Sequence, residues 1–177
     1  MKRNYVNHSL AAVLIGCLLF SCRPPVQEQE EKKADIANEK LLNLNIYLRD
    51  IHQDHIHAFV GRVGWDMEVT STGLWYAIVE KGLGEPVEMN KRVTFIYSSL
   101  LLDGTPCYEA NAGKPESVIV GKGEMISGLM EGLLKMHAGD SAIFIIPPHL
   151  GHGNFGDRNK IPGNSVIIYK VKVLKVN

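Results

Sequence analysis

The sequence predicts an α+β fold, in which a curved antiparallel β-sheet (a half-barrel) wraps one short helix and an N-terminal amphipathic helix precedes both. Residues 121–136, GKGEMISGLMEGLLKM, indicate the short helix, because their apolar residues recur at helical spacing on one broad side. Those residues are Met125, Ile126, Leu129, Met130 and Leu133. Four apolar segments flank this helix and are the candidate strands, at 93–101, 117–120, 141–147 and 165–176. A second helical pattern lies at 34–60.

Residues 1–22 have the pattern of an export signal. A basic start precedes an apolar run at 10–20 that is too short to span a bilayer comfortably. The run ends in LFSC, which resembles a bacterial lipobox and implies that 1–21 is a lipoprotein signal peptide and that Cys22 is acylated. Acyl chains would hold the protein on a membrane without a spanning segment. An ordinary signal peptide cut elsewhere and an uncleaved anchor are the alternatives.

Cysteine usage and net charge restrict the class of protein. Of three cysteines, only Cys22 and Cys107 would remain after cleavage, so no intramolecular disulfide pair is left. The fold must then be held together by its core, and the remaining length suffices for one domain with a small appendage. Nineteen basic and 19 acidic side chains give a net charge of zero, which argues against a nucleic-acid partner.

Residues 22–33 are predicted to be a disordered tether, because RPPVQEQEEKK is polar and lacks apolar periodicity. Residues 34–66 form the N-terminal helical segment, which we expect to end near Gly61 and Gly64. Its apolar residues recur at intervals of three and four: Ile36, Leu41, Leu44, Leu48, Ile51 and Phe59. This face can dock on the following domain or pair with a second chain. The short length and the lack of a sustained heptad favour docking.

The histidines offer no complete metal site. His52 and His55 can share a helix face, but His57 does not, and no cysteine or carboxylate nearby completes a tetrahedral set. His149 and His152, in PPHLGHG, fit a surface loop, and the glycine-rich stretch that follows has no lysine at phosphate-loop spacing. We therefore predict neither a metal nor another cofactor.

The last segment, 67–177, carries the strands of the domain. Alternation along RVTFIYSSL places Phe95 and Tyr97 on one face, so Tyr97 points inward. The Asp-Gly pair at 103–104 is a strong hairpin signal that returns the chain beside this strand. The final strand has one apolar side, formed by Ile167, Tyr169, Val171 and Val173. On its other side, Lys170 and Lys172 face water.

Four motifs follow one another at short intervals along this segment. They are IYSSLLLDGTP, VIVGKGEMISGLMEGLLKM, GDSAIFIIPPHLGHG and KIPGNSVIIYKVKVLKV. Together they resemble the FKBP-type peptidyl-prolyl cis-trans isomerases, and the similarity covers 73–176. The resemblance implies an apolar hollow between the helix and a half-barrel sheet, which agrees with the fold predicted from the residues.

The resemblance also implies that this hollow grips a proline ring and isomerises X-Pro bonds. Tyr97, Ile126 and His152 are the implied catalytic residues, with the Ile126 N–H, free at the start of the helix, donating to a substrate carbonyl. The implied substrate-binding residues are Cys107, Tyr108, Val118, Met125, Leu129, Ile161 and Tyr169. Leu129 is implied to form the floor, where the family usually has a larger aromatic.

Several positions depart from the family pattern. Cys107 and Tyr108 stand where the family usually has phenylalanine and aspartate, Glu116 replaces an aromatic, and His152 replaces a tyrosine. A histidine can still donate a hydrogen bond. The loss of an acidic residue and two aromatics nevertheless predicts a weakened isomerase.

The first hypothesis is an FKBP-type isomerase lipoprotein that acts on X-Pro bonds of exported proteins in the bacterial envelope, at the outer membrane facing the periplasm. Its partners are proline-containing polypeptides and, through Cys22, the membrane. The alternative is a non-catalytic binding or scaffold lipoprotein in an envelope complex, such as a machine for gliding motility or secretion. An open, apolar hollow favours the enzyme, and a hollow filled by Tyr108 or Glu116 favours the scaffold.

Overall fold

The computed structural model describes residues 25–123 and 125–177. The predicted signal peptide, 1–21, and the predicted lipidation site, Cys22, lie outside these residues and stay predictions. The chain divides into two compact units, the first ending at Asn45 and the second comprising Ile46–Asn177. Within the described ranges, no helix is both long and apolar enough to cross a membrane.

Two helices and seven strands make up the described chain. The helices are α1 (Pro25–Val63) and α2 (Ser127–Leu133). The strands are β1 (Glu68–Val69), β2 (Trp75–Glu80), β3 (Arg92–Leu101), β4 (Pro106–Ala110), β5 (Glu116–Ile119), β6 (Ser141–Ile146) and β7 (Ile167–Val176). A short 3₁₀ turn, Pro148–Leu150, follows β6.

All seven strands belong to one antiparallel sheet, in the order β1-β2-β6-β7-β3-β4. β5 pairs with β3 from Arg92 to Phe95, and β4 pairs with β3 from Tyr97 onward, so the two short strands share one edge of β3. The register of the β3–β7 pair shifts between Thr94 and Phe95, a bulge that bends the strand. The predicted α+β fold with a curved antiparallel sheet is confirmed.

The predicted hairpin turn joins β3 to β4. Gly104 has a φ of +90°, which glycine adopts without strain, and the Asp103 carboxylate accepts a hydrogen bond from the Thr105 N–H at 2.9 Å. Beyond the turn, the buried Ser99 hydroxyl donates to the Tyr108 carbonyl at 3.1 Å and accepts from the Tyr108 N–H at 3.0 Å. The hairpin therefore fixes the position of Tyr108 beside β3.

Helix α2 is shorter than the predicted segment 121–136. Gly123 has a φ of +97°, and Ile126 is extended with a ψ of 141°, so helical backbone begins only at Ser127. Met125 and Ile126 therefore precede the helix instead of lying on its face. The glycines that introduce this segment permit backbone angles that interrupt a helix, which periodicity alone does not reveal.

The inner face of the sheet and α2 enclose the main core. On α2 the buried residues are Gly128, Leu129, Gly132 and Leu133. The largest fully buried side chains facing them include Phe95, Phe144 and Ile146. As predicted, β7 buries Ile167, Tyr169, Val171 and Val173 and exposes Lys170 and Lys172.

The second half of α1 covers the outer face of the sheet. Ile56 is completely buried and Val60 is 8% exposed. Their buried partners are Ile145, Val166 and Ile168. The Gln53 side chain accepts a hydrogen bond from the Trp75 indole N–H at 2.7 Å and donates to the Gly73 carbonyl at 3.0 Å. The second half of α1 thus docks on the following domain, in agreement with the expectation from the sequence.

The start of α1 differs from the prediction. The helix begins at Pro25, so residues 25–33, predicted to be a disordered tether, are helical. Glutamate, glutamine and lysine are strong helix formers, and proline is tolerated in the first turn, so polarity alone did not exclude a helix. The predicted end is confirmed, because α1 stops at Val63 and Gly64 follows with a φ of +68°.

Candidate active site

A hollow lies on the inner side of the sheet, next to the start of α2 and the loop that follows β6. Its volume of about 360 Å³ is typical of small-ligand sites. Nine of the described residues line it: Phe95, Tyr97, Glu116, Val118, Met125, Ile126, Leu129, His152 and Tyr169. Seven of these nine are aliphatic or aromatic. The hollow is therefore suited to a small apolar group.

Three aromatic rings are neighbours in the hollow. The ring centres of Phe95 and Tyr97 are 5.9 Å apart, and those of Tyr97 and Tyr169 are 5.4 Å apart. Burial raises the pKa of both tyrosine hydroxyls, and the Glu116 carboxylate adds to the rise in the pKa of Tyr97. Both hydroxyls therefore stay protonated at neutral pH and can donate hydrogen bonds.

The backbone at Ile126 supplies a polar group to these apolar surroundings. Its carbonyl accepts the Met130 N–H of α2 at 3.1 Å, whereas none of the described residues accepts its own N–H. The Ser127 hydroxyl donates to the Leu150 carbonyl at 3.2 Å and fastens the start of α2 to the loop that carries His152. The Ile126 N–H can therefore donate a hydrogen bond to a substrate carbonyl.

The loop at 151–165, which we call the flap, is attached to β4 through Asp157. The Asp157 carboxylate accepts hydrogen bonds from the Tyr108 hydroxyl and from the backbone N–H groups of Asn159, at 2.9 Å, and Ile161, at 2.8 Å. Burial acts to raise the pKa of this carboxyl, but the three hydrogen bonds outweigh burial and lower the pKa to about 2. Asp157 is therefore ionised at neutral pH.

Lys160 makes a second attachment between the flap and β4. Its ammonium donates to the Cys107 carbonyl at 2.8 Å and lies 5.1 Å from the centre of the Tyr108 ring. We call Tyr108, Asp157 and Lys160 the flap latch. These contacts hold the flap beside the hollow.

The structure brings together seven of the ten pocket residues that the sequence predicted. They are Tyr97, Val118, Met125, Ile126, Leu129, His152 and Tyr169. Cys107 and Ile161 are each 2% exposed and pack in the main core, and Tyr108 belongs to the flap latch. A thiol is shorter than the phenyl ring usual at position 107, and Cys107 does not line the hollow. Burial raises the pKa of this thiol.

Sequence reasoning missed Phe95 as a lining residue and considered Glu116 a departure from the family pattern that could fill the hollow. The signal for Phe95 was present, because alternation along β3 places it on the same face as Tyr97. Glu116 had no such signal. It reaches the hollow because β5 pairs with β3 in the register that sets Glu116 opposite Phe95.

These features define a class of protein in which a half-barrel sheet and one short helix enclose an apolar hollow for a small ring. The family model described as FKBP-type peptidyl-prolyl cis-trans isomerase matches residues 84–174, just over half of the chain. The chain belongs to the FKBP-type peptidyl-prolyl cis-trans isomerase family.

Individual relatives are similar over the same region. A probable FKBP-type peptidyl-prolyl cis-trans isomerase of Haemophilus influenzae is 32% identical over 114 residues, which cover 64% of this chain and 47% of that protein. The human peptidyl-prolyl cis-trans isomerase FKBP9 is 36% identical over 81 residues, 45% of this chain and 14% of that protein. The crystal structure of FkpA from Escherichia coli matches with a TM-score of 0.61 and 25% identity, over 95% of this chain and 80% of FkpA. The chain thus spans less than half the length of these two curated relatives.

Proposed function

We propose that this chain catalyses the cis–trans isomerisation of X-Pro peptide bonds in polypeptides. The observation that carries the proposal is the open, mainly apolar hollow of about 360 Å³. Tyr108 does not fill it, because its hydroxyl is engaged by Asp157 in the flap latch. Glu116 is one of the lining residues, and the hollow stays open beside it.

The reaction is a rotation about one bond. The partial double bond of the amide gives a barrier of about 18–20 kcal/mol, and uncatalysed exchange takes tens to hundreds of seconds. The twisted amide of the transition state has lost its resonance and is less dipolar than the planar form, so an apolar hollow favours it. Each preference of about 1.36 kcal/mol for the twisted form increases the rate about tenfold.

The lining residues divide between ring contacts and hydrogen-bond donors. Leu129 and Tyr169 offer apolar surface to the prolyl ring. The Tyr97 hydroxyl and the Ile126 N–H are donors for the carbonyls on either side of the proline, which hold the backbone while the bond turns. His152 lines the hollow from the flap and offers a third donor.

We also propose that this activity is weaker than is usual for the family. Leu129 presents less apolar surface to a proline ring than the aromatic usual at that position. Cys107 does not line the hollow, and Tyr108 directs its hydroxyl to Asp157 instead of supplying a carboxylate. Measuring the cis-to-trans rate of an X-Pro peptide with this chain and, in parallel, with human FKBP9 shows how much weaker the activity is.

The test is the cis-to-trans rate of a short Leu-Pro peptide with the full chain purified in detergent. We expect acceleration by the wild type, and we expect Tyr97→Ala combined with Ile126→Asp to lower kcat/KM at least about tenfold, because a donor is lost and a charge enters the hollow. Val79→Ala, at a residue that is 60% exposed and does not line the hollow, is the matched control and should leave the rate unchanged.

Circular dichroism of each variant shows whether it is folded. A folded wild type that gives no acceleration would overturn the isomerase and favour a non-catalytic binding module in an envelope complex. Equal rates for the wild type and the double variant would place catalysis outside the hollow.

We further propose that the chain is a lipoprotein of the bacterial envelope, anchored at the outer membrane through Cys22 and facing the periplasm, where it acts on exported proteins. The support is the basic start, the apolar run at 10–20 and the LFSC motif. Cells fed a labelled fatty acid should label the wild type and fail to label Cys22→Ala. Equal labelling of the two would contradict the anchor.

A further inference from the structure

Among the described residues, one acidic side chain lines the mainly apolar hollow. Glu116, the first residue of β5, pairs with Phe95 across the strands and lines the hollow together with Tyr97. The residue is exposed, so its carboxylate is open to a bound polypeptide. Glu116 is the one carboxylate among the nine described lining residues.

No lysine, arginine or histidine of the described chain forms an ion pair with this carboxylate. The ion pairs among the described residues join Lys91 to Glu88, His137 to Asp140 and Lys172 to Glu80. Lys160, the cation of the flap latch, is engaged by the Cys107 carbonyl and the Tyr108 ring. Asp157, the carboxylate of the flap latch, already accepts three hydrogen bonds from the described chain and does not line the hollow. Among the described lining residues, Glu116 is therefore the acidic group available to meet a ligand.

We infer that Glu116 makes the hollow select X-Pro bonds that have a lysine or arginine next to the proline. The inference rests on the proposed isomerase function and deepens it by naming the substrate class. A polypeptide whose proline ring occupies the hollow places its neighbouring side chains at the rim, where a cation meets the unpaired carboxylate and an anion is repelled.

The preference should be moderate, because the carboxylate is exposed to water. Exposed ion pairs are weak, and their measured strengths correspond to about a two- to fivefold effect on an equilibrium or rate. Salt screens exposed charges, so the preference should shrink as ionic strength rises. A preference produced by shape or apolar contact would not respond to salt in this way.

The experiment compares two sets of peptides, with lysine, glutamine or glutamate placed before the proline in one set and after it in the other. Isomerisation of each peptide is measured with the full chain at low and at high salt. In the wild type we expect kcat/KM for the lysine peptide to exceed that for the glutamine peptide about two- to fivefold at one or both positions, with the glutamate peptide slowest. In Glu116→Gln the three rates of a set should become equal.

Glu109→Gln is the matched control, because Glu109 is an exposed glutamate of β4 that does not line the hollow. It should keep the wild-type preference. Equal rates for lysine and glutamate peptides in the wild type, or a preference that survives in Glu116→Gln, would overturn the inference.

The neutral glutamine peptide separates this inference from the proposed function. If a folded chain accelerates none of the peptides, the isomerase proposal fails, and the same peptides are then compared by titration calorimetry. Tighter binding of the lysine peptide that disappears in Glu116→Gln would uphold the role of Glu116, and equal affinities would overturn it.

Discussion

Two glycines allow α2 to lie directly on β6. A Cβ atom added at Gly132 would come within 2.7–2.8 Å of the Phe144 ring, and one added at Gly128 would come within 2.6 Å of the Ile146 Cγ2. Phe144 and Ile146 are completely buried and have no free space into which to move. The close approach fixes α2, and with it Leu129, which lines the hollow.

Gly132→Ala should therefore destabilise the domain. Overpacking typically costs about 1–3 kcal/mol, whereas the higher helix propensity of alanine returns at most about 1 kcal/mol, so we expect a net loss of about 1–2 kcal/mol in the free energy of unfolding. Gly61→Ala in α1 is the control, because its new Cβ would meet nothing within 4 Å and should stabilise by up to about 1 kcal/mol. Urea unfolding measures both. A Gly132→Ala variant as stable as the wild type would contradict the close contact.

At the scale of elements, the flap latch connects the flap to a strand far away in the sequence. Tyr108 and Asp157 are 49 positions apart, and their hydrogen bond joins β4 to the loop that contributes His152 to the hollow. Lys160 reinforces the connection through the Cys107 carbonyl. None of the three latch residues lines the hollow, so we regard them as positioning residues.

Tyr108→Phe should loosen the flap while keeping the ring that Lys160 contacts. A hydrogen bond to a charged group contributes about 1.5–3 kcal/mol, so the amides of Asn159 and Ile161 should exchange at least about tenfold faster. We expect kcat/KM to fall a few fold through a higher KM, because His152 is positioned less firmly. Tyr47→Phe, in an exposed tyrosine without a hydrogen bond to any described residue, is the control.

The pH dependence of flap exchange gives a second readout. The pKa of Asp157 in the folded chain is about 2, below the ordinary value of 3.8. The stabilisation that ionised Asp157 gives the folded chain is therefore complete above about pH 4 and is lost as the pH falls toward 2. In Tyr108→Phe the pKa moves toward the ordinary value, so the remaining stabilisation is smaller and is lost at a higher pH. Identical exchange and kinetics in the variant and the wild type would contradict a positioning role.

The sequence was sufficient for strands β3 to β7, and the resemblance to the FKBP-type family implied most of the residues that line the hollow. The alternation along β3 and β7 reflects burial of one face, and the turn at 103–104 depends on local backbone preferences. Both signals are local, so they can be interpreted without knowing which distant residues pack against them. The flap latch was not predictable, because it depends on two side chains that only the folded chain brings together.

The packing of α1 shows the same limit. The periodicity of its apolar residues predicted a helix, but Ile36, Leu41 and Leu44 are 48%, 57% and 49% exposed, whereas the buried contacts are made by Ile56 and Val60. Two buried positions one turn apart make a weak pattern. The pattern also did not indicate which face of the sheet would receive them.

At the scale of the whole second unit, both faces of the sheet are covered by helices. α2 and the main core occupy the inner face, and the second half of α1 occupies the outer face through Ile56 and Val60. Each completely buried aliphatic side chain stabilises the fold by about 1.5–3 kcal/mol. Cys107 is the one cysteine of the described residues, so this double layer does not depend on a disulfide among them.

Because β7 lies inside the sheet, the order in which the strands are synthesised affects how the sheet forms. β7 is the last of the seven strands to leave the ribosome, yet it lies between β6 and β3. Until 167–176 have emerged, two strand edges have no neighbour and the contacts with the largest sequence separation cannot form. The nascent chain therefore cannot complete the sheet before β7 has emerged. A transcript truncated before this strand would give a product prone to aggregation instead of a smaller working domain.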